Sequence, residues 1–268
     1  MKKIAIVGLG LMGGSFAKAF IEYSDNIVYG YDIDEKTKKS AKNFGIKIIE
    51  DKNELKKMDL TIICLNPLTI KNFVGENYKY LSKTVMEISG VKNNLYPYIK
   101  KLSEKYSFVY KSIHPMAGRE VYGFESSLKD LYINASMIYL DDLDDEEISL
   151  FKKIGFDKFV KASPKKHDEM ISFTSQLCHV ISNAYALNQK SIYHDGFPAG
   201  SLKDMTRVSK IDENLWSELF LLNKDFLIED INTMIENLEE LKNDLKNNDV
   251  DRLKAQLKKG NDIRKKMW

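Results

Sequence analysis

The residues of this chain best placed to do chemistry are a glycine-rich turn, a later aspartate, two histidines and an arginine. Gly8-Leu9-Gly10-Leu11-Met12-Gly13 has the G-x-G-x-x-G spacing of a turn that cradles phosphates. The first glycine permits the tight turn, the second lets a pyrophosphate approach backbone, and the third lets a helix pack close to a strand. The helix beyond would aim unpaired N–H groups and a positive dipole end at the phosphates. Asp32 follows Gly8 by 24 positions, near the roughly 20 expected of a ribose-binding acid. A carboxylate there accepts hydrogen bonds from both ribose hydroxyls and repels a 2′-phosphate, so NAD is expected over NADP. The plain alternative is a solvated aspartate at a strand end, and Asp34 could substitute if the register slips. Asn66 and Pro67, just past the apolar run Leu60 to Leu65, are counted with this cofactor site.

His114 opens the segment His114-Pro115-Met116-Ala117-Gly118, past an expected strand at Phe108 to Lys111. That is the edge of a parallel sheet where ligands bind. An ordinary imidazole, with a pKa near 6.5, can take the proton of an alcohol as hydride leaves. A structural histidine capping the loop reads equally well from these residues alone. Arg207 could clamp a substrate carboxylate with two parallel bonds, or could pair with Asp204 at i, i+3. His179, in Ser175-Gln176-Leu177-Cys178-His179, fits either a helix core or a site. With His167 and His194 these complete the four histidines, and no two share helical metal-ligand spacing, so no metal site is expected.

The elements that must hold these groups alternate over the first half. Strands are expected at Ile4 to Val7, Ile27 to Asp32, Leu60 to Leu65, Thr84 to Ile88, Phe108 to Lys111 and Met137 to Leu140. Helices are expected at Ser15 to Tyr23 and Glu35 to Asn43. Near-continuous apolar strands separated by helices indicate an α/β fold with a parallel sheet covered on both faces. After the acidic stretch Asp141 to Glu147 and the junction Ser163-Pro164, strand signals stop. Helices are expected at Asp168 to Gln189, Leu215 to Lys246 and Asp249 to Lys266. Leu227, Ile231, Met234, Ile235, Leu238 and Leu241 form one stripe, suited to packing on other helices or on a second subunit. Two domains are therefore expected, 1–163 for the dinucleotide and 164–268 for substrate and dimerisation.

Composition narrows the partners. With 41 basic and 39 acidic side chains the net charge is only +2, which gives no electrostatic case for nucleic acid or anionic membrane. Lys2 and Lys3 precede an apolar run, but Gly8, Gly10, Gly13 and Gly14 break it and no cleavage pattern follows. Cys64 and Cys178 are far apart, and Cys64 lies in an apolar run, which suits a reducing, cytoplasmic setting.

Taken together, these segments resemble the prephenate dehydrogenase family of tyrosine biosynthesis, which includes the arogenate dehydrogenases. The resemblance runs nearly end to end, through Gly8 to Ser15, Gly30-Tyr31-Asp32, His114 to Gly118, Ser175 to His179 and Lys203-Asp204-Met205-Thr206-Arg207, with Trp216 downstream. It implies a Rossmann-type doubly wound, mainly parallel sheet followed by an all-helical dimerisation domain. It implies NAD-dependent oxidative decarboxylation, with prephenate or arogenate as the small-molecule substrate and His114 as the catalytic base. Arg207 would bind a substrate carboxylate, with His179 and Trp216 lining the pocket, and a homodimer would form through the C-terminal helices. Where the family often has aspartate-x-x-serine-valine-lysine, this chain has Glu87-Ile88-Ser89-Gly90-Val91-Lys92. Ser89 is taken as substrate-binding in place of the serine missing at Gly90, although adjacent strand side chains point to opposite faces. Arg119 stands where threonine is common, with Glu120 following as usual, and both are counted with the substrate site. Gln176 and Cys178 replace a frequent histidine and proline. Any feedback by tyrosine is expected to act at the active site, since no regulatory domain follows the helices.

Two other readings compete. A β-hydroxyacid dehydrogenase would carry a catalytic lysine near the domain border, but Lys165 and Lys166 lack the glycine pattern that accompanies it. A non-catalytic NAD-binding sensor would need only the glycine turn, and leaves His114 and Arg207 in their family settings without a purpose.

Overall fold

The protein is described here by a computed structural model covering residues 1–267. Eight strands form one sheet: β1 (Lys3–Val7), β2 (Ile27–Tyr31), β3 (Lys47–Ile48), β4 (Leu60–Ile63), β5 (Thr84–Glu87), β6 (Val109–Met116), β7 (Ser136–Tyr139) and β8 (Lys158–Lys161). Their order is β3-β2-β1-β4-β5-β6-β7-β8. Every neighbouring pair is parallel except β6 and β7. The chain builds outward from β1 through β2 and β3, then returns to lay β4 on the other side of β1. That reversal opens a crevice beyond the carboxyl ends of β1 and β4, the place where doubly wound sheets bind ligands.

Strand periodicity divides the core between the two faces. Ile4 and Ile6 join Phe16 and Phe20 of α1 (Leu11–Tyr23), together with Tyr132, Phe151 and Phe156. Ala5 and Val7 point the other way, toward Ile70 and Val74 of α3 (Pro67–Asn77) and Ile99 of α4 (Tyr96–Tyr106). Between these helices, α2 (Glu35–Asn43) follows β2. The acidic stretch before α5 (Asp145–Lys153) is a capping box, in which Asp144 and Glu147 each bond the other's backbone N–H.

The expected parallel sheet is present, and three local differences have physical reasons. β3 has two residues and β8 has only Phe159 and Val160 between flanking lysines, so neither carries the apolar run that marks the central strands. β8 is an edge strand, where lysines discourage pairing with another chain. The strand expected to stop at Lys111 continues to Met116, so His114 and Pro115 lie in β6 rather than in a loop after it. Pairing with β5 ends at Glu87 opposite Ser112, and the remainder of β6 turns to β7 instead. Pro115 is tolerated because the ladder to β5, which would need its N–H, has already ended.

The rest is helical. α6 (Pro164–Ile171) starts at a Ser163 cap and runs through a π-helical turn, Ser172–Gln176, into α7 (Leu177–Ala186). Short α8 (Gly200–Thr206) follows, then α9 (Glu213–Leu222), α10 (Lys224–Lys246) and α11 (Val250–Met267). The helix expected from Leu215 to Lys246 is thus two helices, broken at Asn223. The buried Asn223 amide donates to the Asp168 carbonyl at 2.9 Å and to Gln176 Oε1 at 2.8 Å. Its side chain anchors the break against α6 and the π turn, which overrides the apolar periodicity. In the single chain Leu227 is buried, while Ile235 and Leu238 on the same stripe are exposed.

Candidate active site

The cofactor crevice is built by the turn after β1. Gly8 has φ +86, a conformation that side chains resist, and its N–H donates to the Tyr31 carbonyl at 2.8 Å. A Cβ on Gly13 would lie 1.9 Å from the Gly8 carbonyl oxygen, so α1 can reach the turn only with glycine there. Around Gly10 the space is open. No side chain caps α1, so the first-turn N–H groups of Leu11, Met12 and Gly13 have no intrahelical partner and can receive phosphates.

Asp32 lies just past β2, where its Oδ2 accepts the Leu9 N–H at 2.7 Å and its Oδ1 the Asp34 N–H at 2.9 Å. A carboxylate has about four lone-pair positions, so two remain for ribose hydroxyls. Asp34 is committed elsewhere, capping α2 through the Thr37 N–H at 2.8 Å. Leu9 gives its N–H to Asp32 and its side chain to the core. Across the crevice, Asn66 is exposed at the start of α3 with its side chain capping nothing, and Pro67 is the first helical residue. An open turn, an uncapped helix end and a strand-end carboxylate fit a dinucleotide.

His114 is the outer member of a buried polar chain. Its Nδ1 lies 2.8 Å from His167 Nε2, and His167 Nδ1 lies 2.7 Å from Asp168 Oδ1. Asp168 also accepts the backbone N–H groups of Lys92 at 2.8 Å and Asn93 at 2.7 Å. Lys92 Nζ donates to Glu87 at 2.9 Å and to the Ile113 carbonyl at 2.8 Å. Glu87 further accepts the Ser89 N–H at 2.6 Å, the Tyr110 hydroxyl at 3.2 Å and the Ser112 hydroxyl. Burial, then the neighbouring His167 and Lys92, hold the His114 pKa well below the usual imidazole range. Burial and Lys92 push His167 down to about 2. Both rings are neutral at working pH, so His114 is available as a proton acceptor.

The residues expected to bind substrate come together only in part. Arg207 and Glu120 form an ion pair between the helical segment and the loop after β6. His179 lies against Trp216 with ring centroids 3.7 Å apart and the planes tilted by 44°, and its Nδ1 donates to the Val208 carbonyl at 2.7 Å. That bond leaves Nε2 of the neutral ring unprotonated. α9 joins this group to the others: Trp216 meets His179, Glu218 accepts the Leu68 N–H at 2.7 Å, and Leu219 approaches Gly90. A Cβ on Gly90 would stand 4.0 Å from His114 Cε1. Ser89 does not take up that position: it is 3% exposed and its hydroxyl donates to the Val91 carbonyl at 2.6 Å. Beyond the end of β5 at Glu87, the local bond to Val91 commits that hydroxyl to its own loop. Arg119 is exposed and donates to the Ser126 carbonyl at 3.3 Å, apart from the Glu120–Arg207 pair.

His167, Asp168, Lys92 and Glu87 were not singled out from the sequence as site residues. Their one visible signal is the run of charged and imidazole groups at two chain positions, a carboxylate and lysine around Gly90 and His167-Asp168 in the first turns of α6. Nothing in the sequence says that these two positions meet.

The fold and this site define a dinucleotide-dependent dehydrogenase with a helical second domain. Two family models match the chain: the prephenate dehydrogenase nucleotide-binding domain over residues 16–156 and the prephenate dehydrogenase dimerization domain over residues 163–259. The chain belongs to the prephenate dehydrogenase family, whose members are NAD-dependent oxidoreductases. It is 27% identical to a cyclohexadienyl dehydrogenase of Zymomonas mobilis, over 98% of this chain and 95% of that protein. The solved prephenate dehydrogenase of Aquifex aeolicus, in complex with hydroxyphenyl propionate and NAD+, matches with a TM-score of 0.84 at 26% identity, over 100% of this chain and 99% of that one. Synechocystis arogenate dehydrogenase shares the fold, with a TM-score of 0.81 at 20% identity over 99% of this chain and 100% of that one.

Proposed function

We propose that this protein is a prephenate dehydrogenase, converting prephenate to 4-hydroxyphenylpyruvate with NAD, and that His114 is its base. The observation that carries the reading is a neutral His114 with one nitrogen engaged by His167 and the other free, at the carboxyl end of the sheet. Bound NAD supplies the acceptor for the hydride that leaves the carbinol carbon of the substrate ring. His114 takes the carbinol proton as the C–O bond becomes a carbonyl. The ring carbon–carboxylate bond then breaks, carbon dioxide leaves, and the electron pair enters the ring to form an aromatic phenolate. His114 returns its proton to that oxygen, so the residue starts and ends neutral. The reaction releases no net proton.

Arg207, partnered by Glu120, would bind a substrate carboxylate, with His179 and Trp216 lining the pocket; the ion pair and the ring contact support this reading. Asp32 favours NAD, because a 2′-phosphate would meet its carboxylate. Prephenate is taken as the substrate ahead of arogenate, a reading supported by the Aquifex relative named for prephenate at 26% identity. The working form is proposed to be a cytoplasmic homodimer, built through the helices at 164–268 with the exposed Ile235 and Leu238 at its interface. Comparing kcat/KM for prephenate and arogenate, each with NAD and NADP, tests the assignment. Prephenate with NAD is expected to give the highest value. A preference for arogenate would reassign the substrate, and equal use of NADP would remove the role given to Asp32.

A further inference from the structure

We infer that His167 and Asp168 are positioning residues that hold His114 in its Nδ1–H tautomer and so present a bare Nε2 to the carbinol. The inference rests on the reading of His114 as the base. It follows from counting donors. Asp168 is buried and already accepts two backbone N–H groups, so it acts as a carboxylate that only accepts. His167 Nδ1, at 2.7 Å from it, must therefore be the protonated nitrogen. A neutral imidazole has one N–H, so His167 Nε2 is an acceptor. The group it faces, at 2.8 Å, is His114 Nδ1, which must then donate. One tautomer of His114 remains, with its lone pair on Nε2, for which no hydrogen-bond partner exists among the described residues. A hydrogen bond from one ring nitrogen fixing the state of the other is the general way a histidine is oriented.

The chain is also arranged to receive charge. When Nε2 takes the carbinol proton, the imidazolium of His114 faces His167, and behind it the carboxylate of Asp168. The Nδ1 proton stays on His114, 2.8 Å from His167 Nε2, because burial and Lys92 disfavour a cation on His167. Return of the Nε2 proton regenerates the starting state, which matches a reaction that borrows a proton and gives it back. Lys92 and Glu87 complete the charged surroundings as a mutually neutralising pair. Glycine at position 90 leaves no hydroxyl on that side of the ring, so orientation of His114 falls to His167.

The test pairs spectroscopy with kinetics. Nitrogen-15 NMR of histidine-labelled protein with NAD, without substrate, reads which ring nitrogen of His114 carries the proton, and His114→Ala identifies the signal. The expected result is a protonated Nδ1 and an unprotonated Nε2, giving way to a mixture in His167→Ala. His167→Ala is expected to lower kcat about 100-fold, while the KM for prephenate and the affinity for NAD stay within about threefold, the latter showing that the variant is folded. His167→Gln keeps an oxygen acceptor for His114 Nδ1–H and is expected to recover about tenfold of that loss. A proton found on Nε2 in the unsubstituted protein would overturn the inference, as would equal loss in the alanine and glutamine variants. Retention of rate by His114→Ala would overturn the assignment of the base itself, a separate failure because the nitrogen spectrum needs no turnover.

Discussion

Replacing Lys92 with methionine should reveal what supports the buried polar chain behind His114. Lys92 is 0% exposed and its partner Glu87 is 1% exposed, with 2.9 Å between Nζ and Oε1. Methionine fills similar volume but leaves the Glu87 carboxylate buried without its counter-charge. Removing one partner of a buried pair costs about 3–5 kcal/mol. The remaining donors to Glu87, from Ser89, Tyr110 and Ser112, place the value toward the low end. The lost bond to the Ile113 carbonyl adds about 1 kcal/mol. Against a typical total of about 5–15 kcal/mol this is a large fraction. Urea denaturation at fixed protein concentration, followed by circular dichroism, measures it. Adding Glu87→Gln should restore part of the loss, because the uncompensated charge is gone, giving a coupling of about 2 kcal/mol in the double-mutant cycle. A cost below about 1 kcal/mol, or strictly additive single effects, would refute the argument that this pair is held together by mutual neutralisation.

Gly13→Ala should abolish NAD binding in a fluorescence titration, since its Cβ would fall 1.9 Å from the Gly8 carbonyl oxygen; affinity within about threefold of the original would contradict this. Gly90→Ser should fold with a stability change within about 0.5 kcal/mol, because the nearest side-chain atoms to the new Cβ, on Leu219 and His114, are 3.5 and 4.0 Å away; a large drop in Tm would show the space to be misjudged. Stability should also depend on pH through His167, which burial holds down at about 2 in the folded chain, below the ordinary imidazole value of about 6.5. The unfolded chain binds this proton below about pH 6.5 and the folded one does not, so stability is lost as pH falls. The drop from about pH 7.5 to about pH 5.5 should be about 1.4 kcal/mol smaller in His167→Gln than in the unsubstituted protein. An unchanged drop would mean that the buried ring is already protonated.

The glycine turn and strand-end carboxylate expected to hold the cofactor were legible because their geometry is local. Gly8, Gly13 and Asp32 act through a turn and the strand ends beside it, and the spacing of such groups survives in the sequence. The central strands were legible for a related reason, since burial on both faces leaves an unbroken apolar run. β3 and β8 were not, because short edge strands have no such run. The break at Asn223 was hidden because its cause is a pair of hydrogen bonds to Asp168 and Gln176, about 50 residues away. The catalytic surroundings were hidden in the same way. His114 could be singled out by its motif, but the imidazole that meets it at 2.8 Å comes from α6, far along the chain. Ser89 shows the opposite risk, where the right residue type one place along the chain has its hydroxyl committed to the Val91 carbonyl.

The central claim is that His114 and NAD together oxidise and decarboxylate prephenate. The most direct measurement incubates the purified protein with prephenate and NAD and quantifies NADH, carbon dioxide and 4-hydroxyphenylpyruvate in the same reaction, beside the His114→Ala variant. The account predicts the three products in equal amounts, with the variant slower by about 100-fold or more. Absence of NAD reduction with both prephenate and arogenate would contradict it.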